Sequence, residues 1–361
     1  LVGVALAVAL SARLASPGEF TKRAFLNGRI DLSQAEAVID VIRSKTEQAE
    51  RLAFQQLEGR LSGRIEGIKE RIANICAHVE AYIDFPEEEI ETPVKDEIIG
   101  SISAISEDLT ALSRGYDEGR FFREGVSTAI VGKPNVGKSS LLNALLQKDR
   151  AIVTEMPGTT RDVIEDYLNI KGLPLKIMDT AGIRETRDLA EMEGVKRSLR
   201  AIEGADIIIA VFDGSRPLDE ADMELIETVK DKKTIFVANK SDILNPAFQA
   251  SAPGLQPVVN VSALRDSGID ALKNAVYSLC ISSGSAAGVE DVMITNIRHK
   301  QSIDNAVKSL ADATEALKGG QHLEVAALFI RESLDSLGEI VGVITTEDIL
   351  NKIFSEFCIG K

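Results

Sequence analysis

Cysteine is scarce in this 361-residue sequence, and the three present, Cys76, Cys280 and Cys358, lie far apart, with no C-x-x-C pair and no histidine at metal-ligand spacing. That argues against a disulfide or zinc framework and fits a reducing, cytoplasmic setting. Long apolar runs are missing as well. The opening Leu1–Leu10 is apolar, but it is too short to span a bilayer and lacks the basic flank of a signal peptide, so it reads as core and no membrane is expected. The chain does not begin with methionine, so upstream sequence is expected. Basic charge is in deficit: 41 Lys and Arg against 56 Asp and Glu give a formal net charge of −15. Nucleic acid is therefore repelled in bulk and would need a local basic patch. His78, His299 and His322 have no partner pattern and read as surface or packing residues. There is no internal repeat, and a 44% hydrophobic chain of this length holds core enough for two or three domains.

Periodicity divides the chain. Leu57, Leu61, Ile65, Ile68, Ile72, Ile75 and Val79 recur at steps of three and four, predicting a long helix with one apolar face. The acidic, proline-bracketed Pro86–Pro93 interrupts it, and Ile98, Ile102, Ile105, Leu109 and Leu112 predict a second, antiparallel partner. Further helices are expected around Ile303, Val307 and Leu310, around Val325, Leu328, Leu334 and Leu337, and around Ile349, Ile353, Phe354 and Phe357. Between these blocks, short β-branched runs at 128–131, 175–178, 207–212, 234–238 and 258–261 alternate with helical patterns. That alternation predicts a mostly parallel sheet wrapped by helices. The small-residue stretch 282–288 reads as a linker.

The chemistry lies in the middle block. Gly132-Lys133-Pro134-Asn135-Val136-Gly137-Lys138-Ser139 follows a predicted strand and precedes a predicted helix, the context in which G-x-x-x-x-G-K-S cradles a nucleoside triphosphate. Backbone N–H groups and the helix N-terminus face the phosphates, Lys138 adds a full charge, and Ser139 would hold Mg²⁺. Asp179-Thr180-Ala181-Gly182 closes the run at 175–178, with a metal-facing Asp and a Gly able to offer its N–H to a γ-phosphate. Asn239-Lys240-Ser241-Asp242 follows the run at 234–238. The Asp242 carboxylate can accept paired hydrogen bonds from the guanine ring N–H and amine, a donor pair adenine lacks. Ser262-Ala263-Leu264 completes the base pocket. Between the loop and Asp179, the turn Thr154-Glu155-Met156-Pro157-Gly158-Thr159-Thr160 offers Thr160 as a second Mg²⁺ ligand. Val136, Gly137, Ser140 and Thr180 to Gly182 complete the predicted GTP contacts.

One residue is missing from the usual scheme. Where Ras-type enzymes place a water-orienting Gln after D-x-x-G, this chain has Ile183, which can neither donate nor accept. Glu185, Glu191 and Glu193 are the alternatives for orienting water, with Arg161, Arg184 or Arg187 as charge stabilisers. Asn135 offers a second solution. With carbonyls from the 154–159 loop, its amide oxygen could ligate a potassium ion that supplies the missing positive charge.

Pro17-Gly18-Glu19-Phe20-Thr21-Lys22-Arg23-Ala24-Phe25-Leu26-Asn27-Gly28, the Asp84-Phe85-Pro86 turn, the inserted G domain and the terminal Cys358-Ile359-Gly360-Lys361 together resemble the MnmE (TrmE) family of tRNA modification GTPases, from about residue 13 onward. The resemblance implies a Ras-like P-loop G domain, α/β, inserted into a split all-α helical-bundle domain behind the remnant of an N-terminal folate-binding domain. The boundaries are then 1–28 for the remnant, 29–120 and 289–361 for the helical halves, and 121–288 for the G domain. It further implies a homodimer that works with an FAD-dependent flavoprotein of the MnmG type to add a carboxymethylaminomethyl or aminomethyl group to the wobble uridine of certain tRNAs. A formyl- or methylene-tetrahydrofolate would supply the carbon. Carried onto this chain, the family's potassium ligands fall on Asn135, Thr154, Met156 and Thr159, its magnesium ligands on Ser139 and Thr160, and its catalytic glutamate on Glu191. Its folate contacts fall on Arg29 and Lys361, and Cys358 is its tail cysteine, either a nucleophile or a shaper of the folate pocket. Two rival readings share the G-domain motifs. A ribosome-assembly GTPase of the Era or Der type would carry a KH-like domain or a second G domain after the first, which the apolar helices after Lys300 do not supply. A non-catalytic switch on a helical platform would exchange nucleotide without steady-state hydrolysis.

Overall fold

The computed structural model describes residues 13–84, 92–149, 167–178, 199–251, 255, 258–281, 292–319 and 322–357. The chain divides into two compact units, one of residues 1–44, 50–120 and 290–361, the other of residues 45–49 and 121–289.

The first unit is helical. In chain order its helices include α1 (Glu19–Leu26), α2 (Leu32–Arg43), α3 (Glu47–Leu57), α4 (Arg60–Asp84), α5 (Thr92–Arg114) and α6 (Tyr116–Glu124), the third and sixth of which cross the division between units. Asp31 starts α2 with a reciprocal cap: its carboxylate accepts the Gln34 N–H at 2.9 Å while the Gln34 side chain accepts the Asp31 N–H at 2.9 Å. The predicted stripe on α4 is the main seam. Leu61, Ile65, Ile68, Ile72 and Val79 pack with Ile98, Ile102, Ile105 and Leu109 of α5, and with apolar residues from the chain's last third. Steps of three and four place all of them on one side of each helix.

Inside this unit a charge is buried. Glu36 of α2 is 4% exposed, and its carboxylate accepts from Arg298 Nε at 3.0 Å, Arg298 Nη2 at 2.8 Å and Asn296 Nδ2 at 3.2 Å, with His299 Nε2 at 2.7 Å. Burial pushes this carboxyl up, yet the His299 and Arg298 contacts outweigh it and hold it at about 2. His299 is therefore a packing residue with a specific acidic partner, while His78 and His322 are exposed.

The second unit is a six-stranded sheet in the order β2-β3-β1-β4-β5-β6, with strands β1 (Val126–Val131), β2 (Tyr167–Ile170), β3 (Leu173–Ile177), β4 (Ile207–Asp213), β5 (Thr234–Asn239) and β6 (Val258–Val261). Every neighbouring pair is parallel except β2 with β3. The sequence pattern missed β2, which has four residues and a half-buried alternation. It is held by the two-residue turn Lys171-Gly172, whose φ values of 54° and 87° are those of a tight hairpin. Helices α7 (Lys138–Asp149), α8 (Glu220–Val229), α9 (Pro246–Ser251) and α10 (Ile269–Cys280) follow strands of this sheet. The β4 run is buried from Ile207 to Phe212, as a central strand covered on both faces must be.

Beyond the sheet, α11 (Ile297–Lys318), α12 (Leu323–Val341) and α13 (Glu347–Ser355) return to the helical unit. Ile303, Leu310, Ala326, Ile330 and Leu337 close the core over α4 and α5. Leu350, Phe354 and Phe357 pack on Leu32, Ala35 and Ile39 of α2.

Parallel strands bring the loops that leave β1, β3, β4, β5 and β6 to one edge of the sheet. Because β1 has β3 on one side and β4 on the other, its carboxyl end is the topological switch point, the place where open α/β sheets carry a ligand-binding crevice.

Candidate functional site

At that crevice β1 ends on Val131 and α7 begins at Lys138, so the connecting loop is Gly132–Gly137. Three of its residues have positive φ: Gly132 at 151°, Asn135 at 64° and Gly137 at 100°. Both glycines are sterically required. A Cβ on Gly132 would lie 2.3 Å from the Val211 carbonyl oxygen, and one on Gly137 would lie 2.1 Å from Asn239 Nδ2. Asn135 takes the left-handed conformation at a cost of about 1 kcal/mol, which asparagine bears better than most residues. Lys138 folds its ammonium back into the loop, donating to Gly132 O at 2.7 Å and Lys133 O at 2.8 Å. Burial pushes its pKa down, so the site holds a partly desolvated cation whose charge an anion would stabilise. Ser139 stands in the first turn of α7, and Ser140 beside it is exposed.

The last residue of β5 joins the edge together. Asn239, 3% exposed, donates from Nδ2 to Val136 O at 2.8 Å and accepts the Ala263 N–H on Oδ1 at 3.1 Å. One amide thus ties the phosphate-type loop to the loop after β6. Asp242, three residues on, accepts Ser262 Oγ at 2.6 Å, and this bond lowers its pKa, leaving an oriented carboxylate. The loop after β6 is closed by paired Ser262 and Ser267 backbone bonds of 2.9 and 3.2 Å. Gly268 makes the closure feasible: at φ 78° its Cβ would lie 2.1 Å from Asn260 O. Leu264 stands 88% exposed at the tip. Lys240 is left-handed at φ 63° and turns its ammonium to Asp213 Oδ2 at 2.6 Å. The edge therefore offers a cation and backbone N–H groups at one end and a fixed carboxylate at the other.

Residues 32–358 match the MnmE helical domain family. The tRNA modification GTPase MnmE of Thermoanaerobacter sp. (strain X514) is 47% identical over 353 residues, covering 97% of this chain and 76% of that protein. MnmE of Geobacter sulfurreducens is 48% identical over 356 residues, covering 99% of this chain and 78% of that protein. The chain belongs to the MnmE family of tRNA modification GTPases. A crystal structure of Era from Aquifex aeolicus is 26% identical and covers 50% of this chain and 65% of its own, with a TM-score of 0.33.

Of the residues predicted for this MnmE-family site, the fold brings together Asn135 to Ser140, Asn239, Lys240, Asp242 and Ser262 to Leu264. Thr154 to Thr160, Asp179 to Gly182, Glu185, Glu191, Glu193, Cys358 and Lys361 lie outside the described residues. Met178, next to Asp179, donates its N–H to Thr128 O of β1 at 3.0 Å. Arg29 is exposed, its N–H bonded to Ala24 O at 2.9 Å in the turn that ends α1. Among the described residues there is no group of three or more His, Cys, Asp or Glu placed to hold a metal, and no helix long and apolar enough to cross a membrane. Sequence reasoning passed over Lys133, Asp213, Asp219 and Asp222, all of which bond at this edge. The D-x-x-D of Asp219 and Asp222, which forms a reciprocal cap on α8, was the available signal.

Proposed function

We propose that the chain is a potassium-dependent GTP hydrolase, with GTP lying along the carboxyl edge of the sheet. The observation that carries this is Asn239, whose one side chain sets the spacing between the loop at Gly132–Gly137 and the loop bearing Ser262 and Ala263. Lys138 exchanges the Gly132 and Lys133 carbonyls for phosphate oxygens, and the N-terminus of α7 adds its partial charge. Asp242, aligned by Ser262, accepts the guanine N–H pair, so adenine nucleotides are rejected for want of a donor.

The donor set fits two cations. Ser139, a hard hydroxyl in the first turn of α7, suits Mg²⁺ together with Thr160, and the exposed Asn135 suits K⁺ with Thr154, Met156 and Thr159. Bound there, they would neutralise charge developing on the phosphates, while Ile183 leaves no polar side chain directly after the D-x-x-G to orient water. Glu191 orients the attacking water, and ordering of 154–160 pairs two such domains in a homodimer. With an FAD-dependent partner of the MnmG type, this cycle serves the addition of an aminomethyl-type group to the wobble uridine of tRNA, with a tetrahydrofolate derivative held through Arg29 and Lys361.

Steady-state hydrolysis in matched potassium and sodium buffers, with Glu191→Ala beside the wild type, tests the reading. We expect turnover that needs potassium and is abolished by Glu191→Ala with GTP affinity kept. Equal rates in the two salts sink the cation role, and turnover retained by the variant moves the water to Glu185 or Glu193.

A further inference from the structure

Lys133 sits inside the phosphate-type loop, yet its side chain points away from Lys138. Its ammonium bonds Asp222 Oδ2 at 2.8 Å and also Asp219, the two residues that cap α8. Asp222 is 3% exposed, one of few charged groups so deeply placed among the described residues, and the Lys133 side chain is largely covered as well. A desolvated carboxylate of this kind is costly unless a cation meets it. The main-chain oxygen of the same Lys133 is one of the two acceptors of the Lys138 ammonium.

These contacts divide the forces on the loop. Lys138 holds its first two carbonyls only while no anion competes for the ammonium. Once a triphosphate draws that ammonium away, the positive-φ conformations at Gly132, Asn135 and Gly137 must be kept by bonds that do not involve Lys138. Three such bonds are on hand: Asn239 to Val136 O at the loop's far end, and Lys133 to both Asp219 and Asp222 at its near end.

We propose that Lys133, Asp219 and Asp222 form a strut that positions the phosphate loop for the triphosphate by tying its first turn to the cap of α8. These are positioning residues, acting on the nucleotide through the loop backbone. The proposal rests on the GTP reading of the site and adds a specific consequence: losing the strut weakens nucleotide binding and leaves the chemical step alone.

The experiment uses the full chain and measures GTP and GDP dissociation constants with a fluorescent guanine nucleotide analogue, together with KM, kcat and the melting temperature without nucleotide. Lys133→Met keeps the apolar stem and removes the charge. Asp219→Asn keeps the cap acceptor, and Lys133→Arg keeps the charge. We expect Lys133→Met and Asp219→Asn to weaken GTP about fivefold, which is roughly 1 kcal/mol. The loss should fall on KM rather than kcat, the two changes together should be no worse than the stronger alone, and Lys133→Arg should restore binding. Wild-type affinity in Lys133→Met, losses that multiply, or an arginine variant as weak as the methionine one would overturn the strut. A melting temperature lowered with GTP affinity intact would overturn it too, reducing these residues to a helix cap. If the wild type itself binds no guanine nucleotide, the GTP reading falls and the strut falls with it.

Discussion

Replacing Asn239 by alanine is the sharpest challenge to the site as built. The change removes a 2.8 Å donor to Val136 O and a 3.1 Å acceptor of the Ala263 N–H, both from a side chain only 3% exposed. Val136 is itself buried at 1%, so its carbonyl would be left without a partner, while Ala263 is half-buried and water can reach it. An unpaired buried group costs about 1–3 kcal/mol, and the partly wet one costs less, so the sum is roughly 2–4 kcal/mol. For a unit of this size that lowers the melting temperature by about 5–12 °C. The Gly132–Gly137 loop also loses the bond that fixes its far end, so GTP should bind at least about tenfold more weakly, or roughly 1.4 kcal/mol. Asn239→Asp is the informative companion. It keeps an acceptor for Ala263 but sets a carboxylate against the Val136 carbonyl, and should bind GTP worse than the alanine variant. Calorimetric titration with GTP and thermal melting measure both quantities. If Asn239→Ala bound GTP within twofold of the wild type and melted with it, the idea that this amide sets the distance between the two loops would be wrong.

Two further outcomes are expected. Asp242→Asn replaces an acceptor-only carboxylate by an amide, so preference for GTP over xanthosine triphosphate should fall or reverse in competition binding, whereas unchanged preference would remove Asp242 from base recognition. In the helical unit, the Glu36 carboxyl is held at about 2, below its ordinary 4.5, by His299 and Arg298 against the cost of burial. Its contribution is therefore fully present above pH about 4.5 and lost as the pH falls toward 2. Melting curves should show that acid loss, and Glu36→Gln should flatten it while costing about 3–5 kcal/mol at neutral pH by leaving Arg298 and His299 unmatched. An acid limb unchanged in Glu36→Gln would refute the assignment.

Local order along the chain was legible without coordinates. The steps of three and four from Leu61 to Val79 reported the α4 seam because helical geometry is itself local. The β-branched runs located five strands within two residues of their observed ends, and the loop at Gly132–Gly137, Asn239 and Asp242 could be singled out because their motifs need fixed residue types at fixed spacing. Strand β2 was not readable: it has four residues, and Lys171-Gly172 is a weaker hairpin signal than Asn-Gly.

By itself, then, the sequence determined the element types, the alternation that makes a parallel sheet and the residue chemistry at its loop ends. Tertiary structure alone decided which of those residues meet. Asn239 reaches Val136 across 103 positions, Lys133 reaches Asp222 across 89, and Glu36 finds His299 across 263. No periodicity encodes such pairs, because each is fixed by where strand ends and helix faces come to rest once the core is packed. The same physical reason explains the two readings the sequence left incomplete. His299 had no partner pattern because its partner lies on another helix, and Lys133 looked like part of a loop until the cap of α8 was brought beside it.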